Sequence, residues 1–256
     1  MTEIAVGLAL GLVVGLTLSM MGAGGSIITV PALVFITDLP VHEATGTALL
    51  VVVGLALVGG VSHYRRGATM PSMAAAVGLA GIVGSVVGAW LNQKADEDLI
   101  LLLLSLLMIV AGARMLQGAV DHRGETDDGL ATGPESSRLV LGAAAGSVLG
   151  LLTGFFGLGG GFLIVPLLVI VLGLPIRLAV GTSLLVISMH AGAGLIGHLS
   201  FGNVDFGAAA PFLGGGLVGV LFGGRFSGRI RDNWHRVVFS VLLFSVAGLL
   251  LARSFD

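Results

Sequence analysis

The chain contains no cysteine, which removes disulfides, thiolate metal sites and thiol nucleophiles from consideration. Charge is nearly as scarce: 10% of its 256 residues are charged, against roughly 25% in soluble domains. The net charge of −2 says little about partners, and no cofactor, metal or nucleic-acid partner is expected. The opening MTEIAV lacks a basic region before its apolar run, so a cleaved signal peptide is not expected. What fills the sequence instead is apolar residues, 55% of the chain, and 43 glycines.

Eight apolar stretches have about the length needed to cross ~30 Å of hydrocarbon as helix: Ile4–Met21, Ala44–Val61, Ser72–Leu91, Leu99–Leu116, Leu139–Phe156, Leu178–Gly197, Gly207–Phe226 and Val237–Leu251. None shows the alternation of a membrane-barrel strand. The expected fold is therefore an all-α polytopic membrane protein, placed in the cell membrane. Most glycines fit close helix packing, as in the four-residue spacing of Gly7, Gly11 and Gly15 or Gly142, Gly146 and Gly150.

Two phrases stand apart. GAGGSIITVP begins at Gly22, and GLGGGFLIVP begins at Gly157, 135 positions later. The same shift pairs Gly24, Gly25 and Pro31 with Gly159, Gly160 and Pro166, and Thr47, His63 and Gly67 with Thr182, His198 and Gly202. The chain thus reads as two repeats, residues 1–116 and 138–256, joined by a polar linker at 117–137.

Arginine and lysine collect in short cytoplasmic loops, and this orients the repeats. If each short segment after a glycine phrase returns the chain to its side of origin, the second copy is upside down. Arg65, Arg66, Arg114, Arg123, Arg138, Arg177, Arg225, Arg229, Arg231 and Arg236 then share one side, with Lys94 and Arg253 opposite, ten against two. Parallel copies would split the charges six against six. The expectation is an inverted-topology repeat of about eight spans and two short helices, with the linker cytoplasmic and both termini outside. Such repeats characterise secondary transporters.

Non-helical backbone inside a membrane must line a protein-walled cavity. The glycine breaks are therefore expected to meet near the midplane, aiming the starts of two short helices, Ser26–Thr37 and Gly161–Leu172, at one anion. The candidate substrate cradle is Gly22, Gly24, Gly25, Ser26, Gly157, Gly159, Gly160 and Gly161, completed by Thr47, Thr182 and Ser183. The hydroxyls have an alternative role, bonding to their preceding helical turns. His190, mid-span, is a candidate for proton coupling or for packing; His63 and His198, at equivalent span ends, are candidates for a gate or a cap; Pro31 and Pro166 are candidate hinges or fixed bends.

Catalytic motifs fail on inspection. Neither glycine phrase completes G-x-G-x-x-G, His42-Glu43 has Gly46 where a second zinc-binding histidine would stand, and Ser188 is two residues from His190. No catalytic residue is expected.

The paired G-x-G-G-x-x-x-x-x-P phrases, the P-x-x-x-A-x-G-T runs at Pro40 and Pro175, and HLSFGNVD at His198–Asp205 resemble the TauE/SafE sulfite exporter family. That resemblance implies transport, often outward, of sulfite-like oxyanions, organosulfonates or organic acids. The alternatives on one scaffold are a gated anion channel or a carboxylate transporter, and, from another class, a non-transporting membrane scaffold or enzyme.

Overall fold

The computed structural model describes residues 2–22, 24–120, 135–157, 161–226, 241 and 244–248. Within them the elements run α1 (Thr2–Met21), α2 (Gly24–Ile36), α3 (Val41–Arg65), α4 (Pro71–Asn92), α5 (Glu97–Val120), α6 (Glu135–Phe156), α7 (Gly161–Pro166), α8 (Ile176–Ser200) and α9 (Phe206–Phe226). The described residues contain no strand. Six helices, α1, α3, α4, α6, α8 and α9, are long and apolar enough to cross a membrane. The expected span Leu99–Leu116 lies within α5, and most of Val237–Leu251 lies outside the described residues.

Helix boundaries follow local chemistry. Asp205 accepts hydrogen bonds from the N–H groups of Gly207 (2.7 Å) and Ala208 (3.0 Å) and so caps the start of α9. At the equivalent place in the first half, Met70 precedes Pro71, which needs no N–H partner at a helix start. Around the expected linker, α5 runs through Val120 and α6 begins at Glu135, while 121–134 lie outside the described residues.

The short segments differ between halves. α2 starts at Gly24, two residues before the expected Ser26, and passes through Pro31 to Ile36. The N–H groups of a first turn lack intrahelical partners in any case, which lowers the cost of glycine there. α7 ends at Pro166 and the chain widens into a π-helical turn, Leu167–Val171. Leu172 N–H then reaches back five residues to Leu167 (3.1 Å), and Leu174 N–H six residues to Leu168 (2.9 Å). Pro166 cannot donate the ordinary α bond, and a wider register past it keeps the following carbonyls paired.

Helix directions are read from paired residues. Gly59 and Gly60 of α3 lie against Leu184 and Leu185 of α8, whereas Gly194 lies against Leu49, so α3 and α8 are antiparallel. Gly11 and Gly15 of α1 meet Phe212 and Gly216, and Gly146 and Gly150 of α6 meet Val77 and Gly81, so α1 runs with α9 and α6 with α4. Likewise α3 runs with α9 (Gly54 against Leu213, Gly59 against Val220) and α4 with α8 (Gly78 against Met189, Gly197 against Ala89). Helices α1, α3 and α9 therefore point one way, and α4, α6 and α8 the other.

These contacts repeat under the 135-residue shift with partners exchanged. Gly11 against Phe212 becomes Gly146 against Val77, Gly15 against Gly216 becomes Gly150 against Gly81, and Gly46 against Asn203 becomes Gly181 against Ala68. At Gly15 and Gly150 the facing backbone occupies the place of a side chain: a Cβ on Gly150 would stand 2.6 Å from both the Cα and C atoms of Gly81. Gly15→Val and Gly150→Val are each expected to cost about 1–3 kcal/mol through overpacking. Gly192→Ala, with nothing within 4 Å of its added carbon, should leave the thermal unfolding temperature in detergent unchanged. Equal stability of all three variants would contradict this packing.

Candidate functional site

Each glycine phrase begins at a helix stop. Gly22 and Gly157 both have φ of 68°, the left-handed region that a side chain disfavours and that commonly ends a helix. Each N–H closes the last turn behind it, Gly22 to Leu18 (2.8 Å) and Gly157 to Thr153 (3.0 Å). The carbonyls of Ser19 and Gly154 lie in these last turns, the part of a helix whose carbonyls commonly need partners from outside it.

Two histidines take those carbonyls. His63 Nε2 lies 3.3 Å from Ser19 O, and His198 Nε2 lies 3.3 Å from Gly154 O. A carbonyl only accepts, so Nε2 carries the proton in both. Both side chains are buried. Each histidine stands where the negative end of a helix dipole favours a donor.

The surroundings of each break come from several helices. The Ser183 hydroxyl in α8 lies 3.1 Å from Gly22 O and 2.7 Å from Val180 O. Arg66 donates to Gly224 O, and Arg66 and Arg177 both lie within electrostatic reach of His63. At the second break Gly157 packs on Thr45 of α3. There His42 Nδ1 donates to Asn92 Oδ1 (3.0 Å), and Asn92 Nδ2 donates to Phe155 O (2.8 Å).

The two breaks lie at opposite ends of α3, a correction to the shared midplane cradle expected from the sequence. Ser19, beside Gly22, is held by His63 near the end of α3, and Gly157 sits on Thr45 near its start. At 1.5 Å per residue these positions are separated by about 27 Å along the helix. Gly22 and Ser183 come together; Gly22 and Gly157 do not. The reason lies in α1, whose 20 residues rise about 30 Å before the first break is reached.

Other candidates are placed as follows. Thr47 and Thr182 accept the N–H groups of Asp205 and Met70, each at 2.9 Å, one reciprocal pair across the two halves. Gly24, Gly25 and Ser26 form the first turn of α2, and Gly161 opens α7. Gly159 and Gly160 lie outside the described residues. Pro31 is inside α2, and Pro166 stands where α7 widens.

His190 is fully buried, its Nε2 3.1 Å from Val77 O and its Nδ1 without a described partner. It packs on Gly81 of α4; at the equivalent place Leu55 packs on Gly216. Among the described residues no cluster of His, Asp and Glu is arranged to hold a metal.

Sequence reasoning missed Asn92 and the carbonyl-binding role of Arg66. Asn92, a fully buried polar residue ending an apolar span, was the available signal for the first. Arg66 served there only as a topological charge.

His63→Leu and His198→Leu would each strand a buried carbonyl. Each is expected to lower stability by about 1–3 kcal/mol, measured as denaturation in detergent; a loss from one and none from the other would contradict the reciprocal arrangement.

Comparison with known proteins places this architecture. Residues 7–250 match the sulfite exporter TauE/SafE family. A probable membrane transporter protein of Xylella fastidiosa strain 9a5c is 32% identical over 257 residues, covering 95% of this chain and 93% of the relative. The probable membrane transporter protein YdhB of Bacillus subtilis strain 168 is 33% identical over 246 residues, covering 93% and 95% respectively. No solved structure matches the chain. With a family match across nearly the whole sequence and membrane helices to accompany it, the chain belongs to the TauE/SafE sulfite exporter family of membrane transporters.

Proposed function

We propose that this protein is a secondary transporter that exports a small sulfur-containing oxyanion or organosulfonate, sulfite-like in charge and size, by alternating access between two inverted repeats. One observation carries the reading: every described pair of equivalent long helices, α1 with α6, α3 with α8 and α4 with α9, runs in opposite directions. An inverted pair can exchange roles, so that the conformation of one half in the inward state becomes that of the other half in the outward state. In this orientation the Arg65–Arg66 turn and the linker are cytoplasmic and both termini lie outside.

The breaks are then two gates at opposite faces. Near the first, Arg66, Arg177 and the start of α2 supply positive potential without an interior charge. That suits an anion arriving from the cytoplasm. Near the second, His42 and Asn92 hold the end of α6 by hydrogen bonds in place of two arginines, a weaker field from which an anion leaves more readily. Between the gates Leu49, Val52, Leu55, Leu184 and Ile187 are fully buried, and in this reading they close the pathway. Alternation requires these residues to part.

His190 stands in that closed centre as the proton carrier. Its Nε2–H is committed to Val77 O, which leaves the Nδ1 lone pair to receive a proton. Leucine fills the equivalent place in the first half, so His190→Leu preserves packing while removing the titratable nitrogen.

Purified protein in proteoliposomes tests the reading. Labelled sulfite should accumulate against its gradient when a proton gradient is imposed. Gly22→Leu should reduce flux by more than about tenfold, because its Cβ would stand 2.6 Å from Ser183 Oγ on a left-handed backbone. His190→Leu should abolish proton-driven accumulation while downhill exchange persists. Unitary currents would instead identify a channel, accumulation of carboxylates alone would overturn the substrate class, and no flux of any anion would overturn transport.

A further inference from the structure

Where α3 meets α9, the outer surface carries an open groove of about 480 Å³, lined by Leu57, Val58, Val61 and Leu221 and ending at Arg65 and Arg66. Its apolar wall is exposed: Leu57 is 47%, Val61 44% and Leu221 58% accessible. In a helix bundle within a bilayer such a surface faces lipid. The arginines stand at the end of the span Val41–Arg65, where apolar chain gives way to headgroups. Beside them Tyr64, also exposed, has the amphipathic ring favoured at that depth.

The two arginines are not equivalent. Arg66 donates to Gly224 O and is tied to the end of α9. Arg65 is exposed and pairs with no described residue, and no acidic side chain lines the groove. A fixed guanidinium and one without a described partner thus stand together at one end of an apolar channel. Phosphate suits them, since each guanidinium can present two parallel donors to its oxygens.

We infer that this groove holds one anionic glycerophospholipid, with an acyl chain along Leu57, Val61 and Leu221 and the headgroup phosphate between Arg65 and Arg66. Basic pockets between membrane helices recognise lipids on these terms, the apolar wall supplying contact and the cations selecting a net negative headgroup. A zwitterionic lipid offers the same chain, but its ammonium offsets the attraction. The other interface offers no such combination around Lys94, whose ammonium instead lies 3.8 Å from the centre of the Trp90 ring. Arg66 is shared with the proposed cytoplasmic gate, whereas Arg65 and the apolar wall belong to the groove alone.

Native mass spectrometry of the purified full chain in mild detergent tests this, with phosphatidylglycerol, phosphatidylcholine and inorganic phosphate as separate additions. The wild type should retain one phosphatidylglycerol at about tenfold lower concentration than phosphatidylcholine. Arg65→Gln should weaken that retention about fivefold, consistent with one cation at the headgroup. Val61→Trp, which fills the groove, should remove the adduct. Lipid-free unfolding temperatures of both variants should match the wild type; were Val61→Trp to misfold, the exposed Arg65→Gln change decides alone. Equal retention of the two lipids, or retention unchanged by Arg65→Gln, would overturn the assignment. So would displacement by inorganic phosphate, which identifies a free-anion site, or a dimer dissolved by Val61→Trp, which makes a second copy the occupant.

Discussion

A backbone amide or carbonyl in hydrocarbon has no water to turn to, and the whole architecture follows from that constraint. Breaking a membrane helix at Gly22 or Gly157 leaves terminal carbonyls that must be answered by protein. His63, His198, Ser183 and Asn92 answer them. Helix starts have the opposite need, and Thr47 and Thr182 meet it by accepting N–H groups from the other half of the molecule. The side chains that complete each break thus belong to helices that must pack beside it, so local chemistry and tertiary arrangement determine each other.

The same logic explains why the halves interlock rather than sit side by side. α1 and α6 each bring glycines against the third long helix of the other half, α9 and α4, and backbone meets backbone at Gly15 with Gly216 and at Gly150 with Gly81. Hydrophobic burial gives little drive for association within lipid, so close van der Waals packing has to supply it. Small residues at four-residue spacing are what permits that approach. Where the exchange symmetry lapses, chemistry enters: His190 replaces Leu55, Arg177 stands opposite His42, and the π-helical turn after Pro166 has an ordinary helix as its counterpart.

Much of this was legible in the sequence. The 135-residue shift pairs α3 with α8 and α4 with α9 at their first residues, and it pairs the left-handed turns at Gly67 and Gly202. Apolar run length identified the six long helices. The depth of the breaks was misread, although the information was present: Ile4–Met21 is already long enough to cross before Gly22 arrives. A glycine phrase announces that a helix stops, and only the length preceding it says where. The partners of Thr47, Thr182 and Asn92 were not legible at all, since each bond joins residues at least 50 positions apart.

The central claim is that equivalent segments of the halves face opposite compartments. Because the chain has no cysteine of its own, Arg65→Cys and Ser200→Cys provide single reporters at the equivalent ends of α3 and α8. Treated in intact cells with a membrane-impermeant thiol reagent, Ser200→Cys should be labelled and Arg65→Cys only after the cells are opened. Labelling of both from the same side would contradict the inverted arrangement and the two-gate account built on it.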